Sequence, residues 1–194
     1  QTEDLQHLVS RRSFRGKTGW FFALHGRTFL TNRHIWQMES DSYHTSTLTG
    51  LQETIHADWN QASVYTHPTE DVVLVHIPTS REFKDVRHHF ITLSDLRFSR
   101  VPGVLANTVA AYGVMTVHKR PLEYDCGEVA LVAAQHISYE IPTRGGDCGS
   151  VLLHGSSSTP RRLMGIHCAA SAISGYGLLV TQEILEECKP RAEN

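Results

Sequence analysis

From Gly19 onward the chain breaks into short runs of aromatic and β-branched residues closed by turn residues, and this texture constrains the fold more than any other feature. Residues 19–24 and 28–32 flank a turn at His25-Gly26 and predict a β-hairpin. Further strands are expected at 63–66, 72–77, 105–117, 128–134, 137–141, 150–153, 162–167 and 176–180. So many short strands with so little helix between them argue for antiparallel sheets and an all-β chain, against a parallel α/β fold.

Helices are expected only at the two ends. Leu5, Leu8 and Val9 follow helical spacing, Thr2 can cap the start, and Glu3 and Asp4 at one end with Arg11 and Arg12 at the other complement the helix dipole, which predicts a helix over residues 2–12. A second, closing helix is expected over 182–188. Polar residues with a proline and a glycine midway along the strand series suggest a linker, giving a division into a helix at 1–13, a first barrel at 14–90, a linker at 91–104 and a second barrel with its helix at 105–194. Residues 155–160 are expected to form a flexible turn.

Composition names no partner by itself. With 18 basic and 20 acidic residues mixed along 194, the net charge of −2 cannot hold a polyanion, so any nucleic-acid binding needs a local patch. Cys126, Cys148, Cys168 and Cys188 show neither a disulfide framework nor a zinc spacing, which predicts reduced thiols. No run approaches the roughly 20 apolar residues of a membrane span, and Gln1-Thr2-Glu3-Asp4 is acidic where a signal peptide is basic, so a soluble, unsecreted protein is expected.

The stretch Pro142-Thr143-Arg144-Gly145-Gly146-Asp147-Cys148-Gly149-Ser150-Val151 presents a cysteine on a glycine-rich turn before an apolar strand. Glycines permit positive φ and leave room for a substrate carbonyl, so backbone N–H groups can converge on an oxyanion. The same turn would also suit a small buried cysteine. What selects the chemical reading is the ordered set His34, Asp71, Cys148: a base, a carboxylate to orient it and a nucleophile, in the chain order that chymotrypsin-like enzymes use.

Pro142-Thr143-Arg144-x-Gly146-x-Cys148-Gly149 resembles the nucleophile motif of picornaviral 3C proteases, and Gly165-Ile166-His167 resembles their substrate-pocket motif. Gly26-Arg27-Thr28, Asn32-Arg33-His34, the acid before the 72–75 run, the basic segment Phe83-Lys84-Asp85-Val86-Arg87 and Thr181-Gln182-Glu183 extend the similarity over nearly the whole chain. The resemblance implies a chymotrypsin-like fold of two β-barrels with short terminal helices. It implies Cys148 as nucleophile, His34 as general base then acid, Asp71 as the group orienting His34, and the N–H groups of Gly146 and Cys148 as oxyanion donors. Thr143 and His167 would line a pocket for glutamine, then glutamate, at P1. Viral polyprotein and host proteins would be substrates in the host-cell cytoplasm, with no cofactor and no metal.

Three departures from the family pattern stand out. Ser150 replaces a glycine found in many members, Ala169-Ala170 stand where a glycine is common, and Asp147 puts a carboxylate beside the nucleophile. A carboxylate facing the site would oppose thiolate formation, so Asp147 is expected to point to solvent.

The rival from another class is a binding module, with Arg11, Arg12, Arg15, Lys84 and Arg87 as a patch for viral RNA. Glu82 and Asp85 dilute that charge, and an ordinary solvated linker would look the same. A papain-like enzyme is disfavoured because its cysteine precedes its histidine, and a zinc hydrolase because neither His88-His89 nor the scattered cysteines supply clustered ligands.

Overall fold

A computed structural model describes residues 2–42, 45–95, 100–111, 114–118, 121–125, 136–139, 145–154, 160–171 and 175–190. The first half runs α1 (Thr2–Arg12), β1 (Ser13–Arg15), β2 (Trp20–His25), β3 (Thr28–Thr31), α2 (Arg33–Ser42), β4 (Thr45–Thr49), β5 (Thr54–Asp58), β6 (Ser63–Thr66) and β7 (Val73–His76). The second half runs β8 (Arg100–Ala111), β9 (Val114–His118), β10 (Pro121–Asp125), β11 (His136–Tyr139), β12 (Val151–His154), β13 (Leu163–Ala170), β14 (Gly175–Leu179), α3 (Gln182–Glu187) and β15 (Lys189–Pro190).

Two sheets result, with antiparallel pairings throughout. The first has the order β15-β6-β7-β3-β2-β1-β4-β5. The second has the order β10-β11-β14-β13-β12-β8-β9, and because β10 also pairs with β8, six of its strands close into a ring. The strand β15 returns from the end of the chain to pair with β6, tying the second half to the first.

The continuous apolar run of β2 follows from burial on both faces. Phe21 and Ala23 enter a cluster with Phe14, Phe29, Trp59, Val73 and Val75 inside the first sheet. Phe22 and Leu24 turn the other way, into a cluster that also holds Val151, Leu153, Ile166 and Leu178 of the second. The same alternation splits Phe29 from Leu30 and Val73 from Leu74. A strand reads as an unbroken hydrophobic run when neither face meets water, and here the second face is the seam between the sheets.

Most expected strands are present, with specific differences. The run at 105–117 is two strands, β8 and β9, paired with Ala111 opposite Val114, since alternation alone does not mark a reversal. The strand expected at 128–134 lies outside the described residues. Strands β1, β4, β5, β10 and β15 and helix α2 were not expected. Helix α2 is short and mostly polar; only Ile35, Trp36 and Glu39 of its inward face are buried, while Gln37 and Met38 are exposed, so its periodicity is weak in the sequence. Among the described residues no helix is long and apolar enough to cross a membrane.

Candidate active site

His34 is the second residue of α2, where backbone N–H groups have no partner within the helix. One of them is satisfied from across the fold: the His34 N–H donates to Asp71 Oδ1 at 3.0 Å, while His34 Nδ1 lies 2.6 Å from Asp71 Oδ2. The carboxylate thus sits at the positive end of a helix as well as against the imidazole. Asn32, fully buried at the helix start, accepts the Trp36 N–H and directs its amide to the Asp71 carbonyl at 3.5 Å and to Cys168 Sγ at 3.3 Å.

Asp71 is held in place by the turn that precedes β7. Nδ1 of buried His67 accepts the N–H groups of Thr69 at 3.1 Å and Glu70 at 3.0 Å, so Nε2 carries the proton and donates to Glu187 at 2.7 Å on α3. The Arg33 guanidinium closes the same turn by donating to the His67 carbonyl. Sequence reasoning missed His67, and its only local signal is the turn-forming His67-Pro68-Thr69.

Cys148 lies on a turn whose glycines are required by geometry. Gly146 has φ +96° and Gly149 φ +91°, and a Cβ at Gly149 would overlap the Trp20 carbonyl. The turn is pinned to the first sheet by the Trp20 N–H, which donates to the Cys148 carbonyl at 2.9 Å, and to the second by Gly149 N–H to His167 O and His167 N–H to Ser150 O, each 2.9 Å. Ser150 braces it internally, its hydroxyl donating to the Asp147 carbonyl at 2.6 Å. The two sheets therefore meet at Cys148, with its thiol 3.2 Å from the Cys168 carbonyl.

The electrostatics follow from these contacts. Hydrogen bonds to Asp71 and to Cys148 favour the imidazolium of His34 and push its pKa up to about 10, against a smaller opposing effect of burial. His167, on β13 beside the turn, is 1% exposed, and burial pulls its pKa down to about 4, so it is neutral near pH 7. Burial pushes the thiol of Cys168 well above the ordinary range and that of Cys188 up to about 12. Cys148, Cys168 and Cys188 carry no disulfide.

The structure brings His34, Asp71, Cys148, Gly146 and His167 together, while Thr143 lies outside the described residues. Asp147 departs from its expected solvent orientation: it is half-buried, and its charge acts on both Arg15 and His167. Arg15 leaves the patch expected of it and donates to the Gly146 carbonyl of the Cys148 turn. Of the other basic residues, Arg11, Arg12 and Lys84 line one groove of about 460 Å³ with His7 and Arg81. Arg12 is largely buried there and donates to the Ala23 carbonyl at 2.9 Å, and Arg87 instead pairs with Asp85 at 2.8 Å.

Comparison with known proteins bears on the fold and the family. The chain is 28% identical over 142 residues to the genome polyprotein of human hepatitis A virus genotype IIB (isolate SLF88), which covers 64% of this chain and 6% of that polyprotein. It therefore spans only a small part of the curated relatives it matches. Two solved structures share the fold: an inactive tobacco etch virus protease complexed with substrate (TM-score 0.71, 13% identity, 95% of this chain and 87% of that one) and HRV-C 3C protein with rupintrivir (0.57, 14%, 93% and 98%). The all-β, chymotrypsin-like class is thus the observed one. Residues 23–172, well over half of the chain, match the 3C cysteine protease (picornain 3C) family, and the chain belongs to that family of cysteine endopeptidases.

Proposed function

We propose that this chain cleaves a viral polyprotein in the host-cell cytoplasm, after glutamine or secondarily glutamate at P1, with Cys148 as nucleophile. The observation that carries the reading is that Asp71 holds Nδ1 of His34 at 2.6 Å and that Cys148 acts on the same imidazole, both favouring its protonated form. His34 takes the proton of the Cys148 thiol as general base, and the thiolate so formed is the species that attacks. Attack on the P1 carbonyl carbon forms a C–S bond and places negative charge on the oxygen, where the N–H groups of Gly146 and Cys148 serve as donors. His34 gives its proton to the leaving amine as the C–N bond breaks. Water then attacks the thioester, His34 takes one of its protons, and the carboxylic acid and thiolate are released.

Specificity is read from His167 with Thr143. A neutral, buried imidazole donates to a glutamine carbonyl without demanding a charge in the substrate. A substrate that leaves such a partner unpaired loses roughly 1–3 kcal/mol, about tenfold to more than a hundredfold in kcat/KM. The test is digestion of a peptide library around Gln-Gly with product sequencing, followed by kcat/KM for matched Gln, Glu, Met and Lys peptides in wild type, Cys148→Ala and His167→Ala. Full activity of Cys148→Ala would end the protease assignment, and a wild-type preference for Lys or Met would end the pocket assignment.

RNA binding is a second reading, favoured by the groove that gathers Arg11, Arg12, Arg81 and Lys84; in its strong form the chain is an RNA-binding module with proteolysis subsidiary. Arg11, Arg81 and Lys84 are its exposed cations, Arg81 in an ion pair with Glu53. Charge reversal at Arg11 and Lys84 together should weaken RNA affinity and flatten its salt dependence while cleavage persists.

A further inference from the structure

We propose that Arg15 is a positioning residue for the nucleophile turn, holding the Gly146–Asp147 peptide and screening the Asp147 carboxylate from Cys148. The inference rests on the reading of Cys148 as nucleophile. Arg15 ends β1 in the first sheet, 131 residues from the carbonyl to which its Nη1 donates, that of Gly146. Gly146 is held at φ +96°, a conformation that favours glycine, and a side chain there would collide with the Arg15 guanidinium. Its carbonyl belongs to the Gly146–Asp147 peptide, so fixing it fixes that plane and the direction of the Asp147 N–H, one peptide before Cys148.

Arg15 is itself held rather than free to swing. Its guanidinium lies 5.3 Å from the centroid of the Trp20 ring. Trp20 is the residue whose N–H binds the Cys148 carbonyl, so the guanidinium and the thiol-bearing turn share one support. The next turn, residues 16–19, is anchored on buried Glu39 of α2, whose carboxylate accepts the N–H groups of Lys17 and Thr18 and the hydroxyls of Thr18 and Ser46.

The charges around this point are Asp147 on the turn, Glu39 and His34 on α2, Asp71 before β7, His167 on β13 and the thiol of Cys148. Asp147, Glu39 and Cys148 all act on the Arg15 charge, and the guanidinium is the cation that offsets the Asp147 carboxylate next to the nucleophile. That carboxylate is the departure from the family motif that most opposes a thiolate. Its neighbour Arg15 explains how the chain accommodates it.

The test uses Arg15→Gln, Arg15→Lys, Asp147→Asn and the double variant Arg15→Gln/Asp147→Asn in the full chain. Two readouts are needed: kcat and KM on a Gln-Gly peptide, and the pH profile of Cys148 alkylation by iodoacetamide followed by mass spectrometry. Arg15→Gln should lower kcat about ten- to a hundredfold, the scale of a misplaced reacting group, with KM within about threefold. Its alkylation profile should move to higher pH, because the thiolate loses a nearby cation and keeps the carboxylate. Asp147→Asn in that background should move the profile back and recover part of kcat, and Arg15→Lys should fall between wild type and Arg15→Gln.

Unchanged kcat and profile in Arg15→Gln, or a loss that Asp147→Asn does not relieve, would overturn the proposal. Should Arg15→Gln not fold, Arg15→Lys and Asp147→Asn carry the same comparison: Asp147→Asn alone should shift alkylation to lower pH, and no shift overturns the screening role. Alkylation is read whether or not the chain cleaves peptide. A wild type without cleavage would sink the functional reading, while a profile insensitive to Arg15 and Asp147 would sink only this one.

Discussion

Asp71 grips His34 at two points, with Oδ2 2.6 Å from Nδ1 and Oδ1 accepting the backbone N–H at 3.0 Å. One carboxylate therefore orients the ring and anchors the start of the helix that carries it. Loss of the charge removes the support for the imidazolium, whereas an amide keeps one acceptor for the N–H.

The first prediction follows from that pair. His34→Ala should lower kcat/KM about 10²- to 10⁴-fold, the usual range for a proton-transfer group, and Asp71→Asn by clearly less. Equal losses would make the carboxylate indispensable. The His34 pKa is raised from 6.5 to about 10, so its contribution to stability is fully present below pH 6.5 and is lost as pH rises through 10. Urea unfolding of wild type and Asp71→Asn between pH 6 and 10 should show the gap between them narrowing as pH rises.

His167 titrates in the opposite sense. Its folded pKa of about 4 lies below the ordinary 6.5, so the neutral buried ring contributes stability above pH 6.5 that is lost as pH falls through 4. The loss is on the order of 3 kcal/mol for a shift of this size. His167→Gln should remove that part of the acid sensitivity, and thermal unfolding at pH 7, 5.5 and 4.5 reads it; identical slopes in both proteins would refute it.

Glycines of the turn that carries Cys148 should respond differently to the same substitution. Gly149→Ala meets both a positive φ and the Trp20 carbonyl, and should cost about 1–2 kcal/mol from the backbone conformation alone, plus the displacement of the turn. A Cβ at Gly145 meets nothing within 4 Å, so Gly145→Ala should stay within about 0.5 kcal/mol. Chemical denaturation of both variants, with peptide cleavage alongside, separates them.

Glu39 is 2% exposed and accepts four hydrogen bonds from residues 17, 18 and 46. Glu39→Ala strands those donors and should destabilise by about 3–5 kcal/mol, with Glu39→Gln intermediate. Since the 16–19 turn abuts Cys148 through Gly19, cleavage should fall as well. Wild-type stability in Glu39→Ala would show that water replaces the carboxylate there.

The chain by itself determined the elements whose cause is local. Glycines at 146 and 149 mark a turn that needs positive φ, alternating and unbroken apolar runs mark strands, and the order His34, Asp71, Cys148 marks the proposed chemistry. Tertiary structure alone decided how these meet. Helix α2 forms on a polar segment because the first sheet buries its inner face, and Arg15 reads as one more basic residue until β1 is packed against the turn. His67 braces the local turn through Nδ1, but its other ring nitrogen finds Glu187, 120 positions away. Such contacts depend on which face of a strand turns toward the seam between two sheets, a property of long-range packing that no window of sequence contains.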